Sequence, residues 1–254
     1  MRKIVLVLSC LALAGCAAFS GQPQGEVEKR VKTLGVLPVL IDAATIEYSN
    51  RDGLAALLEE TSWEVADWLI EDLREKGDYF DVRRVEGDRE QLLAQIIAGR
   101  EVVGEGAASH HRYQFNPVAI SELTERSLAD AVLVVIINGI ERPEKRWHTH
   151  STRLEYLESA YRSLLYTAAV VTPPSEQLWV RPAASGDFLM HLDYPDFDEA
   201  YWNMTDEVKV KEITLPGLQS RLAEFDQGLF VKTAIPKKYD QMINDLVDQL
   251  KRGF

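Results

Sequence analysis

Cysteine is nearly absent from this sequence: there are two, Cys10 and Cys16, both within the first sixteen residues. The chain beyond them has no thiol for a disulfide, a metal or a nucleophilic mechanism. Long apolar runs are missing too. The stretch Ile4 to Leu13 is interrupted by Ser9 and falls well short of the ~20 residues a helix needs to cross a bilayer. Basic charge is scarce, since 28 Lys and Arg stand against 40 Asp and Glu for a net charge of -12 at pH 7. Such a surface repels phosphate backbones and anionic headgroups, which argues against nucleic acid as a partner. Gly99, Gly104 and Gly106 have neither the following Lys-Ser/Thr of a phosphate loop nor dinucleotide-binding spacing. No G-x-S-x-G elbow occurs, so a serine hydrolase is unsupported.

What is present at the N-terminus has the order of an export signal. Arg2 and Lys3 form a positive region, Ile4 to Leu13 an apolar one, and Leu13-Ala14-Gly15-Cys16 follows with small residues where a peptidase must close on extended backbone. The tetrapeptide resembles the lipobox of bacterial prolipoproteins. The resemblance implies a signal peptide over 1–15, cleavage before Cys16 and acylation of that cysteine, with two or three acyl chains anchoring the protein permanently. Ala17 stands where enteric bacteria place Asp to retain a lipoprotein in the inner membrane, so the periplasmic face of the outer membrane is expected. Loss of Arg2 and Lys3 takes the charge to about -14.

Residues 16–32 lack periodicity and read as a flexible tether. An α/β domain is expected over 33–182. Thr33 to Ile41 reads as a strand whose Pro38 marks an edge, a bulge or the strand end. Leu54, Leu58, Val65, Leu69 and Leu73 give a helix over 54–76, closed by Gly77. Tyr79 to Val85 reads as a strand, Asp88 as the cap of a helix running to about Ala98, Gly99 to Asn116 as a long loop, and Pro117 as the start of a further helix. Ala131 to Ile137 is uniformly apolar and predicts a central strand covered on both faces. Residues 155–172 and 177–182 form a long hairpin about Pro173-Pro174-Ser175-Glu176. Residues 183–254 hold an acidic aromatic segment without clear period and a closing helix, carried by Tyr239, Met242, Ile243, Leu246, Val247 and Leu250, that packs on the same domain. The expected class is α/β, a mixed sheet flanked by helices.

This order, with Val36-Leu37-Pro38, Phe80-Asp81-Val82, Ala129-Asp130-Ala131-Val132-Leu133-Val134 and Leu178-Trp179, resembles a group of envelope lipoproteins. The group includes the curli-secretion channel lipoprotein, the activators of peptidoglycan synthases and certain transport-auxiliary lipoproteins, all similar in fold to the amino-terminal domain of the Tol-system protein TolB. The resemblance spans roughly 33–182 and implies fold more than activity. It departs from the channel-forming member in lacking two strands of about ten residues that alternate apolar and polar. The nearest candidate, 155–172, is burdened by Arg153, Glu155, Glu158 and Arg162.

Three constellations carry candidate chemistry. His148 and His150 would share a strand face and could hold a metal with His110 or His111, but Arg142, Lys145, Arg146 and Arg153 oppose a dication. The acidic sets Glu59-Glu60, Asp193 with Asp196 and Asp198, and Glu141 with Glu144 could supply an acid and a base, though chance pairs abound among 40 acidic residues. Phe188, Tyr194, Phe197, Tyr201 and Trp202, interleaved with acids, could dock sugar or protein, or could simply cover the core. No catalytic residue, cofactor or metal site emerges. The expectation is a noncatalytic accessory or assembly factor that binds an envelope protein of unknown identity. A ring-forming secretion or transport component, and with it a homo-oligomer, stays open as an alternative, as does a cell-wall hydrolase. Replacing Cys16 with Ser should release the protein from membranes in a flotation assay, and undiminished flotation of that variant would refute acylation.

Overall fold

Seven consecutive apolar residues, Ala131 to Ile137, cannot leave either face of a strand in water, and the fold is organised around covering both. The computed structural model describes residues 26–148, 155–181, 188–226 and 234–252. The described chain opens with α1 (Glu26–Arg30), β1 (Thr33–Val36), β2 (Leu40–Asp42) and the helices α2 (Arg51–Glu60) and α3 (Ser62–Lys76). Strand β3 (Asp81–Arg84) leads to α4 (Arg89–Ile96), the pair β4 (Ile97–Val103) and β5 (His110–Phe115), and α5 (Pro117–Ser127). Then come β6 (Ala131–Trp147), β7 (Tyr156–Thr172) and β8 (Glu176–Val180). The last third holds β9 (Met190–His191), β10 (Asp193–Asp196), α6 (Phe197–Trp202), β11 (Lys209–Glu212), α7 (Leu215–Leu222) and α8 (Lys237–Arg252).

The protein is α/β, with a mixed seven-stranded sheet flanked by helices. Its order is β3-β1-β6-β7-β8, with β2 also on β6 and β9 also on β7. Strands β1, β2 and β3 pair in parallel, whereas β6, β7, β8 and β9 pair antiparallel. Because a strand alternates its side chains, β6 feeds two cores. Leu133, Val135 and Ile137 meet Leu54 and Leu58 of α2, Val65, Leu69 and Leu73 of α3, and Leu246 and Val247 of α8. Val132, Val134 and Ile136 meet Leu92 and Ile96 of α4, Ile120 and Leu123 of α5, and Tyr113 and Phe115 of β5. Caps follow the sequence: Asp88 accepts from Gln91 N at 3.0 Å, and Asn116 accepts from Val118 N at 3.0 Å ahead of Pro117. Among the described residues no helix is long and apolar enough to cross a membrane.

Several expectations are corrected. The tether does not extend to residue 32, because Val27 and Val31, one helical turn apart, are both buried. The helix over 54–76 is two helices broken at Thr61, where Ser62 donates to Val39 O at 2.6 Å; the spacing of seven from Leu58 to Val65 conceals the break. The run Thr33 to Ile41 is two strands, β1 and β2, both on β6; Pro38 marks the strand end, one of the three readings given for it, and Leu37 N reaches Leu133 O across the gap at 3.1 Å. Gly99 to Asn116 is no loop. It holds the antiparallel pair β4 and β5, turned through Gly104 and Gly106 at φ 82 and 56, conformations that favour glycine. The segment from Phe188 to Trp202 is likewise structured, as β9, β10 and α6.

The largest correction is the length of β6. Its 17 residues run ten beyond Ile137 and pair with β7 from Val132↔Val171 to Trp147↔Tyr156. The outer half forms an arm in which Glu141 opposes Arg162 and Lys145 opposes Glu158, pairings that replace burial with charge complementarity. Lys145 Nζ also lies 3.6 Å from the Tyr156 ring, and Trp147 packs on Tyr156 at 5.0 Å. Val134 is 1% exposed, so Val134→Asp would bury an unpaired charge at a cost of several kcal/mol against a total stability of about 5–15. The variant should be insoluble or melt far below the parent, and an unchanged cooperative melt would contradict the two-core arrangement.

Candidate functional site

Where β6 leaves the core, a cleft of about 380 Å³ opens between the turn after β2, the β4-β5 pair and the base of the arm. Gly139 makes it: a Cβ there would stand 2.6 Å from Thr45 O and 2.7 Å from Ile46 Cα, so only glycine lets the two backbones approach. Thr45 Oγ1 accepts from Gly139 N at 2.9 Å and donates to Asp42 O at 2.7 Å, which locks the turn against the strand.

Arg100 and Arg162 line the cleft from opposite sides. Arg100 Nη1 lies 2.5 Å from Oδ2 of Asp42, which is buried and also accepts from Tyr113 OH at 2.9 Å. Burial and the Asp42 charge hold the Tyr113 phenol well above its ordinary value, so it remains a donor. Arg162 grips Asp193 with two nitrogens, at 2.9 and 2.5 Å, while its own backbone N donates to the same carboxylate at 2.8 Å. Glu212 lies 3.1 Å from its remaining nitrogen. Both guanidiniums are thus neutralised in place.

Two histidines border the site. His111 is 8% exposed, and its Nε2 donates to Gly139 O at 2.9 Å because a carbonyl only accepts. Its Nδ1 has no hydrogen-bond partner among the described residues, and burial pushes its pKa down, which keeps the ring neutral. Ser163 Oγ lies 3.0 Å from His191 Nδ1, a pairing that invites comparison with a serine nucleophile and its base. Arg146 Nη2 stands 2.9 Å from the same nitrogen, however, and occupies the lone pair that would take the proton. Burial, then Arg146, push the His191 pKa down to about 4.

The residues singled out from the sequence fall in different places. Cys16 and His150 lie outside the described residues. His148 stacks on Phe197 at 4.9 Å near the arm tip, whereas His111 sits at Gly139, roughly 30 Å back along β6 at ~3.3 Å per residue. No group of three His, Cys, Asp or Glu among the described residues could hold a metal. The acidic sets diverge as well. Asp193 is buried against Arg162, Asp196 caps α6 and pairs with Lys211 at 2.8 Å, and Asp198 is exposed. Glu141 and Glu144 point to opposite faces of the arm.

The aromatic segment divides. Phe197 is buried, and Phe188 packs on His191 at 4.4 Å. Tyr194 is 40% exposed, whereas Tyr201 and Trp202 are 73% and 77% exposed beside Met204 at 95%. Sequence reasoning missed Asp42, Arg100, Tyr113 and Arg162. The one available signal was Gly139, a lone glycine inside a strand-like run, which marks close backbone approach.

No protein-family model and no curated protein matches this chain. Among solved structures, a neuraminyllactose-binding hemagglutinin homolog from Helicobacter pylori aligns over 91% of this chain and 89% of its own, at 8% identity and a TM-score of 0.38. That likeness is too loose to carry an argument about fold or ligand.

A depressed histidine pKa means that the unfolded chain binds a proton the folded chain refuses. His191 therefore contributes stability fully above its ordinary value of 6.5 and loses it as pH falls toward 4, by up to about 3 kcal/mol. Denaturant titrations at pH 7 and pH 5 should show a smaller acid loss for His191→Asn than for the parent. Equal losses would mean that His191 is readily protonated in the fold.

Proposed function

We propose that the chain is an outer-membrane lipoprotein, anchored through Cys16, that binds another envelope protein as a noncatalytic accessory or assembly factor. The observation that supports this best is the exposed cluster of Tyr201 and Trp202, at the end of a helix anchored on its inner face, with Met204 just past it. Phe197 and Ala200 bury the inner face of α6, Asp196 caps its start, and Lys209 and Lys211 pair with Glu199. Large rings held in water by a fixed support are preorganised for a partner, because little ordering entropy remains to be lost on docking. The exposed acids Asp198, Asp206 and Glu207 lie within a few residues of the cluster, so the complementary surface is an apolar socket that carries basic side chains.

Placement supports the same reading. Helix α6 lies at the arm tip, through the stack of Phe197 on His148. The described chain begins beside the other end of β7, where Arg30 pairs with Glu176 at 2.7 Å. Seventeen residues of β7 separate these ends by about 50 Å, which suits a cluster that meets its partner away from the anchored end.

A photo-crosslinker at Tyr201 should trap one envelope protein in cells. With that protein purified, Tyr201→Ala combined with Trp202→Ala should weaken binding at least about tenfold and move the melting temperature by no more than about 2 °C. An unchanged affinity, or a melt lowered by many degrees, would show that the rings serve the fold instead.

A further inference from the structure

Two large apolar side chains stand in water at the end of the molecule opposite the arm tip: Phe80, 88% exposed, and Leu128, 75% exposed. They occupy the loops that precede β3 and β6, and backbone and side-chain hydrogen bonds hold the two loops to the segment where the described chain enters the domain. Lys32 O accepts from Phe80 N at 2.9 Å and from Asp81 N at 3.2 Å. Asp130 Oδ2 accepts from Lys32 N and Thr33 N, each at 2.8 Å. Arg83 Nη1 reaches Ser127 O and Leu128 O, each at 3.3 Å. Phe80 and Leu128 therefore flank Lys32 on a rigid support.

Neither side chain is required by its loop. Tyr79, next to Phe80, turns inward and packs on the larger core, which directs Phe80 outward. Leu128 closes α5 in the left-handed conformation, at φ 52, where helices ordinarily place glycine or asparagine. An exposed leucine in that position meets no demand of the turn.

We propose that Phe80 and Leu128 rest in the headgroup region of the bilayer that holds the Cys16 lipid, so that the domain stands on the membrane with its arm directed away from it. This rests on the lipoprotein reading above. The occupant follows from where the chain outside the described residues ends: residues 17–25 reach at most ~30 Å at about 3.3 Å each, and they join the domain at α1, on this end. Aromatic and aliphatic side chains partition into the interface, and Lys29 and Lys32 offset the exposed Asp78 and Asp130 beside them, so this end is less acidic than the chain as a whole. Two side chains alone would hold a free protein poorly. A lipid tether converts their insertion into an intramolecular event at high effective concentration.

Because acylation consumes Cys16, an introduced cysteine is the only free thiol in the mature lipoprotein. The full lipoprotein carrying Phe80→Cys, Leu128→Cys or Trp202→Cys is labelled with a fluorophore and reconstituted in phosphatidylethanolamine and phosphatidylglycerol vesicles. Iodide should quench the labels at 80 and 128 at least about threefold more slowly than the label at 202. Introducing Phe80→Ser with Leu128→Ser into the Trp202→Cys protein should raise energy transfer from the 202 label to headgroup acceptors, as the freed domain falls toward the bilayer. Equal quenching at all three positions in protein that floats with the vesicles overturns the membrane contact and leaves the anchor intact. Protein that does not float overturns both. Protection of the 80 label in vesicle-free Cys16→Ser protein assigns the face to a second copy of the chain and overturns the proposal as well.

Discussion

The ladder between β6 and β7 is the constraint on which the rest of the structure depends. For its first seven residues β6 is buried on both sides, so helices must pack above and below it. The register then carries the same two strands out of the core as an arm. The exchange happens at Asn138, fully buried, whose Nδ2 donates to Thr167 Oγ1 at 3.1 Å across the ladder. One residue on, Gly139 admits the Thr45 turn and opens the cleft. Beyond it one face, with Glu141 against Arg162 and Lys145 against Glu158, carries paired charge, while Arg142 and Tyr161 stay buried on the ladder.

The C-terminal third depends on that arm. Leu189 N and Leu192 N bond to Leu164 O and Arg162 O, each at 2.9 Å, and Arg162 clamps Asp193 just beyond. Arg146, from the neighbouring strand, reaches His191 Nδ1 and donates to Asp193 O. A buried carboxylate held by a guanidinium contributes less net stability than its Coulomb attraction suggests, because both charges lose water. Its geometric demand is strict, however, and here it sets where β10 starts and hence where α6 points. Arg162 thus serves two places at once, lining the cleft and anchoring the segment that leads to the exposed aromatic cluster.

The molecule has two ends of different character. Around Lys32, Phe80 and Leu128 stand on loops tied to the entering chain. Around the arm tip, aromatic rings stand on a capped and charge-paired helix. The two groups lie about 50 Å apart along β7, which gives the domain two distinct ends.

By itself the sequence determined which stretches had to be buried and where several elements begin. The run Ala131 to Ile137, the helical spacing from Tyr239 to Leu250, the Asp88 cap and Pro117 each rest on local physics, and each stands in the structure as read. The β4-β5 pair was illegible because Arg100, Glu101 and Arg112 replace the apolar alternation of a strand, and the outer half of β6 because its charges are matched only by partners on β7. The site was illegible for the same reason. Asp42, Arg100 and Tyr113, or Arg162 and Asp193, are ordinary residues until register brings them together. Which of five similar aromatic residues faces water was likewise decided only in three dimensions: Phe197 is buried and Trp202 is exposed because the cap at Asp196 and the clamp on Asp193 set the rotation of one short helix, and no periodicity in the segment encodes that rotation.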